Sequence, residues 1–121
     1  MTNRYLLDEH LPLWWPETMI RVAKGLRIEA VGRLPAPPKS TLDPDILLWC
    51  EKGNFGLVTN NRTSMPRHLK DFESEGRSMP GILLIDPLEN VQSIARRLEL
   101  IAGAGFDFEY RNQIRYLPTF E

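Results

Sequence analysis

The chain contains one cysteine, Cys50, and only two histidines, His10 and His68. A single cysteine excludes an intrachain disulfide, and these three side chains cannot supply a cysteine-rich zinc site. A lone thiol fits a reducing cytosol, and the apolar stretch around Cys50 marks it as a buried structural thiol. No apolar run approaches the roughly 20 residues that a membrane span needs. The N-terminus has no charged region leading into an apolar one, so no signal peptide is expected. Charge of one sign is not in excess either: 15 Lys and Arg stand against 16 Asp and Glu, a net charge of −1. That balance argues against tight, sequence-independent binding of a polyanion. It leaves room for a nuclease, in which an acidic metal site offsets basic residues elsewhere. Gly-x-Gly-x-x-Gly, a Walker-type Gly-Lys-Ser/Thr and Gly-x-Ser-x-Gly are all absent, which removes the usual markers of dinucleotide, P-loop and serine-hydrolase chemistry.

The 121 residues, 42% of them hydrophobic, suffice for one domain spanning residues 1–121 around an ordinary core. Arg4–Asp8 reads as a short buried strand ending in acid. Leu11–Lys24 has helical apolar spacing, with Pro16 in the first turn and Gly25 as its stop. Leu26–Val31 alternates as a second strand with one wetter face. The prolines of Leu34–Ser40 make that segment a loop. Pro44–Lys52 is a helix that Asp43 can cap, Pro44 opens and Gly53 closes, with Ile46, Leu47, Trp49 and Cys50 facing inward. Phe55–Thr59 and Gly81–Ile85 are apolar throughout, as central parallel strands are. Ser64–Glu75 places Met65, Leu69 and Phe72 on one helical face, and Pro87–Ala102 is the longest amphipathic helix. Phe106–Tyr110 and Gln113–Leu117 are expected to form a terminal hairpin or edge strands, with Arg111-Asn112 near the turn. Strands alternating with helices predict an α/β fold with a mainly parallel sheet.

Polar clusters follow the apolar runs. Tyr5-Leu6-Leu7 leads into Asp8-Glu9, and Gly56-Leu57-Val58 leads into Thr59-Asn60-Asn61-Arg62. In an open α/β sheet ligands bind beyond the carboxyl ends of the strands. Carboxylates gathered there point to Mg²⁺ or Mn²⁺, since hard cations take oxygen ligands. Asp8 is the first candidate ligand, and Glu9 faces either the site or solvent. Asp43 serves as helix cap, as ligand or as both, while Asp45 suits a first helical turn in any case. Asn61 is a neutral oxygen ligand or an Asx-turn residue. Thr59 and Asn60 are candidate hydrogen-bonders to phosphate, and Arg62, Arg67 and His68 could orient a phosphate backbone. Of the pair Trp14-Trp15, one ring is expected in the core. The other is a partner-facing aromatic or a stacking platform.

Leu6-Leu7-Asp8-Glu9, Leu42-Asp43-Pro44-Asp45-Ile46-Leu47, Val58-Thr59-Asn60-Asn61 and Gly81-Ile82-Leu83-Leu84-Ile85 resemble, in order and spacing, the small PIN-like proteins of the domain-of-unknown-function 5615 type. The resemblance extends to Asn112-Gln113-Ile114-Arg115-Tyr116-Leu117-Pro118. It implies a three-layer α/β/α sandwich around a mainly parallel sheet of four or five strands. It further implies a Mg²⁺- or Mn²⁺-dependent ribonuclease acting on RNA in the bacterial cytoplasm, as the toxin half of a toxin–antitoxin pair, with an antitoxin protein as partner. Asp8 matches the family's first-strand aspartate, and Asp43 matches the aspartate ahead of an Ile-containing helix. Asn61 stands where the family has the aspartate of a Thr-x-Asp motif. The acidic residue of a middle helix has no match, and Glu9 is the residue available to stand in. These departures leave fewer carboxylates to hold two ions. They also open an alternative, a binding or regulatory module with a degenerate metal site. Dimers are common in this fold, and an exposed Trp14 or Trp15 would suit a homodimer interface.

Overall fold

Strands β1 (Arg4–Leu7), β3 (Gly56–Thr59) and β4 (Ile82–Leu84) form the middle of a five-stranded sheet, with β2 (Arg27–Ala30) and β5 (Ile114–Tyr116) at its edges. The computed structural model describes residues 2–104 and 107–119. The order is β2-β1-β3-β4-β5 and every pairing is parallel. Parallel central strands are covered on both faces, so their residues are apolar throughout. Gly56–Thr59 and Ile82–Leu84 are buried at every position.

Because strand side chains alternate between faces, each of the three central strands feeds two cores. Tyr5, Leu7, Val58 and Leu83 pack with Trp15 and Met19 of α1 (Trp15–Val22) and with Ile94, Ala95, Leu98 and Ile101 of α4 (Val91–Ala104). Leu6, Leu57 and Ile82 pack with Ile46, Leu47 and Cys50 of α2 (Asp43–Gly53) and with Met65, Leu69 and Phe72 of α3 (Met65–Ser74). The result is the α/β fold with a parallel sheet that the alternation of elements predicts, in the three-layer α/β/α form. Each aliphatic side chain so buried contributes about 1.5–3 kcal/mol. Among the described residues no helix is long and apolar enough to cross a membrane.

Pro16, Pro44 and Pro66 each sit in the first turn of a helix. There the missing N–H is one that the helix would leave unpaired anyway. The helices are shifted from their expected bounds, with α1 at Trp15–Val22 and α4 at Val91–Ala104, and both ends of α2 differ in their capping. Leu42, not Asp43, is the N-cap of α2, and no side chain caps that end. Helical geometry begins at Asp43 itself, so its carboxylate is not spent on a backbone N–H. At the other end Gly53 is still helical, and Asn54 takes the left-handed position at φ 58°. Phe55 N–H then donates to the Cys50 carbonyl at 2.9 Å. A Cβ on Gly53 would lie 2.7 Å from the Phe55 ring.

The crossovers have a hand that the layers reveal. β1→β2 runs one way across the sheet, and β2→β3 and β3→β4 run the other. A shared right-handed crossover therefore puts α1 on one face and α2 and α3 on the other, as found. α4 connects β4 to β5 in the same direction as α3, yet it packs beside α1. This last crossover has the opposite hand.

The carboxyl-terminal segment corrects the expectation of a hairpin. Asp107–Tyr110 is a helical turn, α5, while Phe106 lies outside the described residues. β5 runs parallel to β4. Its start is pinned by Asn112, in left-handed conformation at φ 56°. The Asn112 Oδ1 accepts the Met79 N–H at 2.9 Å, and its Nδ2 donates to the Arg77 carbonyl at 3.2 Å. These bonds bring the entrance of β5 beside the entrance of β4, which a hairpin partner of Phe106–Tyr110 would not reach.

Candidate functional site

The chain leaves β1 in one direction across the sheet and continues beyond β3 in the other, so a crevice opens at the carboxyl ends of these two strands. Asp8 and Thr59 stand there. The Asp8 N–H donates to the Val58 carbonyl at 2.9 Å, extending the β1–β3 ladder by one residue. Thr59 is fully buried, and its Oγ1 donates to Asp8 Oδ2 at 2.6 Å. The same hydroxyl accepts the Asn61 N–H at 3.0 Å. Glu9 N–H donates to Asp8 Oδ1 at 2.8 Å. Each Asp8 oxygen thus accepts one hydrogen bond and keeps further lone-pair capacity.

A cleft of about 270 Å³ forms above this pair, lined by Asp8, Glu9, His10, Val31, Thr41, Asp43, Ile46 and Asn61. α2 brings Asp43 into it from the first helical turn. Burial and the facing charges of Asp8 and then Glu9 hold the Asp43 carboxyl above its ordinary range, against the opposing pull of His68. His68 Nε2, on α3, lies 3.4 Å from Asp43 Oδ2. Glu9 is tied to the loop that follows β2: its Oε1 accepts the Ser40 N–H. Its other oxygen is 4.0 Å from His10 Nε2.

Asp8, Glu9, Asp43 and Asn61 therefore share one cleft, and His68 abuts it through Asp43. Three assignments change. Thr59 cannot bond a phosphate, because it is wholly buried; it orients Asp8 instead. Asn61 has its Oδ1 engaged by Thr63 N–H at 3.3 Å and Ser64 N–H at 3.1 Å, while its Nδ2 donates to Ser64 Oγ at 2.8 Å. That is the Asx-turn use of the residue, and it occupies the oxygen a metal would take. Arg67 is exposed on α3 and lines neither this cleft nor its neighbour; Asp45 is likewise exposed and outside. His10 lines the cleft, and nothing in its local sequence marked it except adjacency to Asp8-Glu9.

Asn60 and Arg62 line a second, larger cleft of about 670 Å³ on the same edge of the sheet. Its other walls include Ile85, Asp86, Glu89, Arg97 and Tyr116. Arg97 is buried, and its Nη2 donates to Glu89 Oε1 at 2.7 Å. Its remaining donors reach the carbonyls of Ser93, Leu117 and Pro118 at 3.4–3.5 Å.

Among the described residues no three His, Cys, Asp or Glu side chains stand at metal-holding spacing. Two carboxylates on one cleft still suit the mode in which Mg²⁺ keeps several waters and takes the rest of its shell from substrate phosphate. Asp8 and Asp43 are the residues that could hold it. Comparison with known protein families, with curated proteins and with solved structures finds no match for this chain.

Proposed function

We infer that the cleft at Asp8 and Asp43 is the active site of a metal-dependent endoribonuclease, acting in the bacterial cytoplasm as the toxin partner of an antitoxin protein. The observation that carries the reading is Asp43. Its carboxyl is held above the ordinary range by burial and by Asp8 across the cleft, at the switch point of a parallel sheet. Carboxylates that oppose each other's ionisation in an open cleft are characteristic of sites completed by a cation. The resemblance to PIN-like proteins supplies RNA as the substrate class and the toxin role.

In this mechanism Asp8 and Asp43 would hold the ion. Mg²⁺ or Mn²⁺ bound there would supply a more acidic water and offset charge on the scissile phosphate. Thr59 locks the Asp8 rotamer. Glu9, anchored by Ser40, takes up the proton released by the attacking water. His68 holds Asp43. Asn61 shapes the turn between the two clefts.

The test is cleavage of labelled single-stranded RNA with Mn²⁺ or Mg²⁺ against EDTA, with Asp8→Asn alongside. Metal-dependent cleavage that Asp8→Asn lowers at least about a hundredfold, a cost of roughly 2.7 kcal/mol, is the expected result. Unchanged activity in a folded Asp8→Asn protein would sink the mechanism. Thermal unfolding gives a second readout. Mn²⁺ at a hundred times its dissociation constant should stabilise the wild type by about 2.7 kcal/mol and Asp8→Asn by much less.

The committed Asn61 amide favours one second reading, a non-catalytic binding or regulatory module in which the third ligand has been lost. A protein that neither cleaves RNA nor melts higher with any divalent ion would establish that reading over the first.

A further inference from the structure

The two clefts share a wall. Along Asn60-Asn61-Arg62, the middle residue lines the acidic cleft and the outer two line the larger one. A chain molecule whose phosphate lies at Asp8 and Asp43 and whose next unit crosses this wall enters the larger cleft. The larger cleft, at about 670 Å³, is of the size that seats small organic ligands. Most of its charged groups are spent within the fold. Arg97 donates to Glu89 and to backbone carbonyls, Glu89 also accepts the Asp86 N–H, and the Asp86 carboxylate accepts the Leu88 N–H at 2.9 Å. The Asn60 amide and the Arg62 guanidinium are exposed and have no partner among the described residues. Tyr116, on edge strand β5, completes the lining with a side that is 62% exposed. An exposed aromatic ring beside an unspent cation and an unspent amide presents a stacking face, a phosphate contact and a base-edge hydrogen-bonder together.

We propose that the larger cleft is a nucleobase subsite for single-stranded nucleic acid, in which Tyr116 stacks a base flanking the scissile phosphate and Arg62 contacts the phosphate between them. Asn60 reads a polar edge of that base. The class of ligand rests on the nuclease reading; the subsite rests on the shared wall and the free groups. With the chain's net charge at −1, stacking supplies more of the affinity here than charge does, because few phosphates are neutralised.

The experiment is fluorescence anisotropy of fluorescein-labelled octauridylate in EDTA, so that binding is read without cleavage. Tyr116→Ala is expected to weaken binding about tenfold, and Tyr116→Phe to retain it. Arg62→Ala should lower the slope of log affinity against log salt by about 0.7, one single-strand phosphate, whereas Tyr116→Ala should leave the slope alone. Tyr116 is exposed at the sheet edge, so its variants should melt as the wild type does. Equal affinity for wild type and Tyr116→Ala, or no octauridylate binding by the wild type, would overturn the subsite. The two proposals separate cleanly. Binding through Tyr116 by a protein that cleaves nothing with Mn²⁺ keeps the subsite and removes the nuclease. Metal-dependent cleavage with affinity indifferent to Tyr116 does the reverse.

Discussion

At the larger cleft the one buried charge, Arg97, meets Glu89 at 2.7 Å and gives its other donors to main-chain carbonyls. At the smaller cleft, a few residues away along the same sheet edge, Asp8, Glu9 and Asp43 face a shared space, with His68 as the nearby partner of Asp43. The first arrangement is closed: fold and charge balance within themselves. The second is open: Asp43 is made harder to ionise by burial and by the charges of Asp8 and Glu9, against the pull of His68. A charge that the fold neutralises serves architecture. A charge left facing others of its sign costs stability until a counter-charge joins it.

The comparison can be broken at its closed side first. Arg97→Ala takes the guanidinium from Glu89 Oε1, leaving Oε2 its bond from the Asp86 N–H, and removes a buried stem from the wall of the larger cleft. Its cost should be about 3 kcal/mol, the sum of a charge-assisted hydrogen bond to a 37% exposed carboxylate and the lost packing of Arg97. Urea unfolding measures this. A loss under about 1 kcal/mol would mean the pair is not structural. Next comes the support beneath the open side. Thr59→Val removes the donor to Asp8 Oδ2 and the acceptor of Asn61 N–H while keeping the volume. Stability should fall by about 2 kcal/mol, and the Mn²⁺-induced rise in melting temperature should shrink with it. An undiminished metal response would show that Asp8 needs no such orientation.

The smallest effect sharpens the comparison by its sign. Raised in the folded state, Asp43 favours folding when protonated. Its contribution is complete below the ordinary carboxylate value and is lost as pH rises through the raised one. Asp43→Asn removes that loss along with the repulsion from Asp8 and Glu9. The variant should therefore be more stable than wild type near neutral pH, by under about 1 kcal/mol. It should match wild type in acid, where Asp43 carries no charge. Melting curves across that range read it directly, and destabilisation at neutral pH would mean that the His68 contact outweighs the repulsion.

Much of this architecture was legible in the chain. Tyr5-Leu6-Leu7, Gly56-Leu57-Val58 and Ile82-Leu83-Leu84 are too apolar and too short to be anything but covered strands, and glycines and prolines punctuate the helices between them. Asp8 and Asp43 were legible as a pair because one ends a strand and the other opens a helix on the same edge. What sequence spacing did not carry was anything decided across the sheet. The Phe106–Tyr110 alternation suggested a strand, but long-range pairing of Asn112 with Met79 and Arg77 sets where β5 begins. The hand of the last crossover depends on whether α4 finds a better surface beside α1 or beside α3, which no local pattern records. Thr59 looked like a donor to phosphate at the end of its strand, since its complete burial is invisible along the chain. The larger cleft draws its walls from β4, α4, β5 and the segments that follow β3, β4 and β5, so no stretch of sequence contains it.

The extra rung between the Asp8 N–H and the Val58 carbonyl has a consequence for whatever this carboxylate meets. Asp8 belongs to the ladder by its backbone, and its side chain is held from two directions by Thr59 and Glu9. Its rotational freedom has been surrendered on folding rather than on encounter. Glu9 is held instead at the far end of its side chain, by the loop that follows β2. A visitor to the cleft finds one acid aimed by the sheet and its neighbour aimed by a loop, two adjacent residues answering to different parts of the fold.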